Sequence, residues 1–194
     1  MKTLHVALAA LMTVSVPTLV RADRDHRVER IKIDLIGFQE VPSVSTPARG
    51  RLRATIAADD LSFDYTLTYS GLVGTVQQAH IHFAQRGVNG SVVVWLCQTA
   101  TTPAPAAVAA ATPVCPQSGT VTGTITAAQV VAAGTASQQI VAGELAEVLA
   151  AIRAGYAYVN VHATPLNPGG EIRGQFPGHH DDHDDDHGGH DGKR

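Results

Sequence analysis

Apolar residues recur at every second position through much of this chain, and a period of two commits a polypeptide to extended strands with one face inward. Ile31, Ile33 and Leu35 alternate with Lys32 and Asp34, and Leu52, Ala54 and Ile56 alternate with Arg51, Arg53 and Thr55. Phe63, Tyr65, Leu67 and Tyr69 alternate with Asp64, Thr66 and Thr68, and Val121, Gly123 and Ile125 alternate with Thr120, Thr122 and Thr124. The Asp59-Asp60 turn between the second and third runs predicts a hairpin with one wet face. Val92-Val93-Val94-Trp95-Leu96 is apolar on both faces and predicts a central strand covered from both sides. Residues 38–46, punctuated by Gly37 and Pro42, predict an irregular edge or loop. Helical spacing appears at residues 144–154, where Leu145, Val148, Leu149 and Ile152 share a face and Gly155 follows. Thr126 is placed to cap a short helical turn. The expected fold is all-β, a Greek-key-like antiparallel β-sandwich or barrel with one or two short helices, over residues 31–176.

The ends read differently. Residues 1–22 have the form of a signal peptide: a basic Met1-Lys2 start, an apolar stretch from Leu4 to Val16 too short to span a bilayer, and Ala22 at the cut. Residues 23–30 are a charged, flexible lead-in. The expected product is periplasmic or secreted, with no membrane span. Export favours pairing Cys97 with Cys115, the two cysteines of the chain. The loop between them carries Pro103, Pro105 and Pro113 and is expected to lack regular structure. Its closure contributes on the order of 3 kcal/mol in the chain-entropy account. Residues 177–194 hold no large apolar side chain and are expected to be disordered. There His179, His180, His183, His187 and His190 mix with six aspartates, a combination that attracts Cu(II), Ni(II) or Zn(II) with little specificity. The formal charge of −3 becomes −5 once Lys2 and Arg21 leave with the signal, and most of it sits in this tail. A near-neutral body with few aromatics argues against nucleic acid as a partner.

The chemistry concentrates in Ala79-His80-Ile81-His82-Phe83. An extended backbone turns both imidazoles to one face, opposite Ala79, Ile81 and Phe83. A later strand, Tyr156 to His162, sets His162 on a face with Tyr156, Tyr158 and Asn160, opposite Ala157, Val159 and Val161. Three histidines so placed are candidate ligands for one copper or zinc ion with an open position, although strands also carry such pairs for no ligand at all. After a turn at Asn167-Pro168-Gly169-Gly170, the last strand puts Glu171, Arg173 and Gln175 on one face. Glu171 or Arg173 then lies beside His162, where a carboxylate would accept the second N–H of a bound imidazole. Alternatively the two form an ion pair that holds the sheet edge.

In chain order, Gln39-Glu40-Val41-Pro42, Ala79-His80-Ile81-His82, Gly87-Val88-Asn89-Gly90, Ala157-Tyr158-Val159-Asn160-Val161-His162 and Gly170-Glu171-Ile172-Arg173-Gly174 resemble the CHRD domain, named after the repeats in chordin. The resemblance runs from about residue 31 to 175. One departure is Ala163 after His162, where the pattern usually has Thr, with Thr164 following. The resemblance implies an all-β secreted domain and little chemistry. Three functions remain open at this point. The first is a secreted domain binding copper or zinc through strand histidines and tail. The second is a non-catalytic extracellular binding or structural module with an unidentified protein partner. The third is a copper enzyme analogous to Cu/Zn superoxide dismutase, although a bridging histidine and zinc-loop ligands cannot be placed. No nucleophile elbow, phosphate-cradling loop or catalytic carboxylate pair stands out, so an enzyme is not expected.

Overall fold

The structure is a computed structural model and describes residues 28–178; the signal-peptide reading of residues 1–22, most of the lead-in, and the tail histidines His179, His180, His183, His187 and His190 lie outside them. The elements are β1 (Glu29–Ile36), β2 (Arg49–Ile56), β3 (Ser62–Ser70), β4 (Thr75–Phe83), β5 (Ser91–Cys97), α1 (Ala106–Ala109), β6 (Gly119–Thr126), α2 (Leu145–Arg153), β7 (Ala157–Thr164) and β8 (Asn167–Gln175). All eight strands join one antiparallel sheet in the order β5-β4-β7-β8-β1-β2-β3-β6. The sheet curls until its edges, β5 and β6, touch, and the Tyr65 hydroxyl of β3 donates across the seam to the Leu96 carbonyl at 2.6 Å. The result is the all-β fold read from the period of two, a nearly closed barrel.

Leu35, Leu52, Leu67, Ile81, Val94, Val159 and Val161 fill the interior. The helix α2 packs on β7 and buries Leu145, Val148, Leu149 and Ile152, the face its spacing predicts. Arg153 in its last turn ties the helix to Glu29 (2.8 Å) and to Asp60 (2.6 Å) in the β2–β3 turn. Thr126 caps a 3-10 turn over residues 127–129, with Gln129 returning to the Thr126 backbone N–H.

Three local expectations change. The apolar run in β5 lies at the edge of the sheet and pairs only with β4. Its free edge is covered by the segment after β6, where Val130 bridges Val94 and the Val131 N–H donates to the Val93 carbonyl. The strand that is covered on both faces is β7, in which every residue from Ala157 to Ala163 is buried, polar ones included. The β7–β8 turn falls at Pro165-Leu166, so Asn167 to Gly170 belong to β8 and form a bulge, with the register jumping from Ala163↔Asn167 to Val161↔Ile172. Finally, the proline-rich loop contains α1: its prolines stand outside the helical turn, Pro105 at the N-cap, where a missing N–H costs nothing.

Cys97 and Cys115 are joined, with Cα atoms 5.0 Å apart and a sequence separation of 18. Replacing both by serine is expected to lower the unfolding free energy by about 3 kcal/mol, measured by urea titration. A change well under 1 kcal/mol would contradict a stapling role.

Candidate metal centre

Pairing of β4 with β7 sets His82 opposite Tyr158, His80 opposite Asn160 and Gln78 opposite His162. The alternation that points Ile81, Val159 and Val161 into the barrel sends His80, His82, Asn160 and His162 to the other side. That side is not open to water. Residues 37–48 and 84–90 fold over it, joined by the Asn89 amide donating to the Val41 carbonyl at 3.0 Å. His80, His82 and His162 are left 1%, 7% and 6% exposed. They are all the histidines of the described residues, and each offers a ring nitrogen within 4.8 Å of the other two.

Backbone carbonyls fix two of the tautomers. His82 Nδ1 lies 2.9 Å from the Gly90 oxygen and His162 Nδ1 lies 2.8 Å from the Pro168 oxygen. A carbonyl only accepts, so both Nδ1 atoms carry hydrogen and both Nε2 atoms keep a lone pair. Position 90 has to be glycine, because a Cβ there would collide with the Phe83 carbonyl. The Pro168 carbonyl is delivered by the β8 bulge. His80 Nδ1 stands 3.2 Å from His162 Nε2, while His80 Nε2 and His82 Nε2 are buried without a partner. Burial, reinforced by the neighbouring imidazoles, holds the His80 pKa well below its ordinary value. Burial likewise takes His82 down to about 4 and lowers His162. The cluster is therefore neutral at pH 7, the form in which imidazole binds metal.

Aromatic groups wall the cluster. Trp95 meets His80 edge-on at 4.2 Å, and Tyr158 stacks on His82 at 4.6 Å with rings 6° from parallel. The Arg173 guanidinium lies over the Tyr158 ring, 3.3 Å from its centroid. Arg173 is 1% exposed and donates to Asn89 Oδ1 (3.1 Å) and the Val88 carbonyl (2.9 Å), pinning the loop that supplies Gly90.

A family model for the CHRD domain matches residues 31–176. The chain belongs to the CHRD domain family. No curated protein and no solved structure matches it. The CHRD match spans nearly the whole barrel and contains every residue of the cluster.

Within this CHRD domain the three strand histidines expected from the sequence come together. Glu171 and Arg173 lie on the same covered side, but the His162 Nδ1 proton goes to Pro168 rather than to a carboxylate. Glu171 Oε1 instead accepts from the Thr46 hydroxyl (2.6 Å) and the Val73 N–H (2.8 Å). Among the described residues no ion pair joins Glu171 to Arg173. Sequence reasoning did not assign Asn160, although its place two residues before His162 put it on the same face. Glu40 carried no periodic signal at all, being in a loop. It is 5% exposed with Oε1 unpartnered, and desolvation pushes its carboxyl up to about 7 against the pull of Arg173, the Val41 N–H and the Asn160 amide.

Proposed function

We propose that this CHRD domain is an extracellular module that holds one divalent transition-metal ion, copper or zinc, on His80, His82 and His162. The observation that carries this reading is the convergence of three buried imidazole nitrogens within 4.8 Å, two of them with tautomers set by backbone carbonyls. Both cysteines are consumed by the disulfide, so the donors at hand are nitrogen and oxygen, which suit Cu(II) or Zn(II) better than Cu(I). The disulfide suits an oxidising compartment, in line with a signal peptide over residues 1–22 and a periplasmic or secreted product. No helix among the described residues is long and apolar enough to cross a membrane. The His/Asp tail acts as a second, less selective sink for the same ions.

The chain contains a single tryptophan, and Trp95 lies 4.2 Å from His80, so the centre has its own fluorescent reporter. In the full-length chain with His179, His180, His183, His187 and His190 changed to serine, Cu(II) is expected to quench Trp95 and saturate at one equivalent. His82→Ala or His162→Ala is expected to weaken that binding about tenfold or more with the circular dichroism unchanged. Undiminished fluorescence together with no copper retained by elemental analysis would refute the reading.

A further inference from the structure

We infer that Asn160 is the fourth ligand of this centre, so that the ion sits in a closed, neutral set of three imidazoles and one amide oxygen. The inference rests on the metal reading above and adds to it what fills the remaining coordination position.

The Asn160 amide is oriented by what lies on its nitrogen side: Nδ2 donates to the Gly169 carbonyl at 3.3 Å. The Glu40 carboxyl lies on that side too, because a Cβ placed on Gly170 would strike both Glu40 Oε1 and Asn160 Nδ2. Two acceptors on one side require the NH2 group there, and this turns Oδ1 toward His162 Nε2, 3.0 Å away. The single N–H of neutral His162 is already committed to Pro168. Two acceptor lone pairs therefore face each other at 3.0 Å in a site closed to water, and His80 Nδ1 stands 3.2 Å from the same Nε2. Without a proton between them such atoms repel. A metal ion resolves the conflict, since His162 Nε2 and Asn160 Oδ1 then direct their lone pairs at one cation, joined by His80 Nδ1 in the tautomer that leaves its lone pair free. Ligand atoms on a tetrahedral ion with bonds of about 2.0–2.1 Å stand about 3.3 Å apart. The separations of 3.0 and 3.2 Å are within a few tenths of that spacing.

The consequence for function is specific. A catalytic ion keeps one position open for water or substrate, whereas a site closed by four protein ligands holds its ion. Asn160 takes the position that three histidines alone leave open, and the centre becomes a store or a structural pin. Four neutral donors leave the ion its full charge. The Glu40 carboxyl lies at the nitrogen end of the Asn160 amide, placed to accept from an NH2 group that a bound ion would polarise, much as carboxylates do behind metal-bound imidazoles.

The test uses the full-length chain with the five tail histidines changed to serine, with Zn(II) and Co(II) as probes. Asn160→Leu is expected to weaken Zn(II) about tenfold or more and to lower the visible absorption band of tetrahedral Co(II). Asn160→Asp, which keeps an oxygen donor, is expected to restore both. In the parent itself, the side-chain 15N resonance of Asn160 is expected to move on Zn(II) addition, a readout that holds even where a variant does not fold. Unchanged affinity and band in Asn160→Leu, or an unmoved Asn160 resonance at full Zn(II) occupancy, would overturn the assignment and leave the three-histidine centre standing. A parent that takes up no equivalent of either ion would overturn the metal reading itself.

Discussion

Acidifying the metal-free protein from about pH 6.5 to about pH 4 is expected to cost it several kcal/mol of stability. His82 binds its proton only near pH 4 when folded, against 6.5 ordinarily. Between those values the unfolded chain holds a proton that the folded one lacks, so the unfolding free energy rises with pH across the window. The stabilising contribution is complete above 6.5 and is lost as the pH falls toward 4. For His82 alone the difference amounts to about 3 kcal/mol at 1.36 kcal/mol per pH unit. His80 and His162 act in the same direction. Glu40 opposes them: its carboxyl is raised from 4.5 to about 7, so its contribution is present below 4.5 and lost as the pH climbs to 7. Three imidazoles outweigh one carboxyl, and the net slope stays positive. Glu40→Gln removes the opposing group and is expected to steepen the acid loss while stabilising the protein at pH 7. Urea unfolding midpoints over this pH range measure both effects, and a flat profile for the metal-free parent would contradict the burial of neutral histidines. Zinc present at about 1,000 times its dissociation constant is expected to add about 4 kcal/mol at neutral pH.

Arg173→Ala is expected to be the most damaging single substitution on the covered side, at about 3–5 kcal/mol. Its guanidinium is fully buried, lies on the Tyr158 ring and holds the 84–90 loop through Asn89 and Val88. Removing it leaves a cavity against Tyr158 and frees the loop whose Gly90 carbonyl orients His82. Lysine is not expected to rescue the site, because a point charge cannot stack flat on the ring and fork to two acceptors. Trypsin reports the loop directly. Arg86 lies exposed within it, and cleavage after Arg86 is expected to accelerate strongly in the variant. An unfolding free energy within 1 kcal/mol of the parent would refute this account.

The strands and α2 were legible because each buries a face whose period the residues display. The two imidazoles of His80 and His82 were legible for the same reason, and so was the orientation of His162. Their meeting was not, since it depends on β4 pairing with β7 across some eighty residues, which neither local pattern encodes. The apolar run in β5 pointed to a central strand covered on both faces, but β5 is an edge strand with Val92 and Trp95 only half-buried, because composition does not distinguish a strand flanked by two neighbours from one flanked by a single strand and a loop. In β7 the sequence set Tyr158, Asn160 and His162 on one face but did not show that this face is covered, since the covering segments, residues 37–48 and 84–90, have no periodicity to read. The carboxylate expected beside His162 was displaced by the β8 bulge, which shifts the register and brings a backbone carbonyl into that place.

The double burial of β7 also decides the order in which the molecule comes apart. A strand hydrogen-bonded to β4 and β8, with an aliphatic layer beneath and a polar layer above, has no edge or surface from which opening can begin. Its amide hydrogens are therefore expected to exchange with deuterium only through global unfolding, while those of the 84–90 loop exchange through local fluctuations. His162 and Asn160 thus ride on the last segment to open, and His82 loses its Gly90 anchor in the first. An ion held between them would be released from the β4 side while the barrel is still intact.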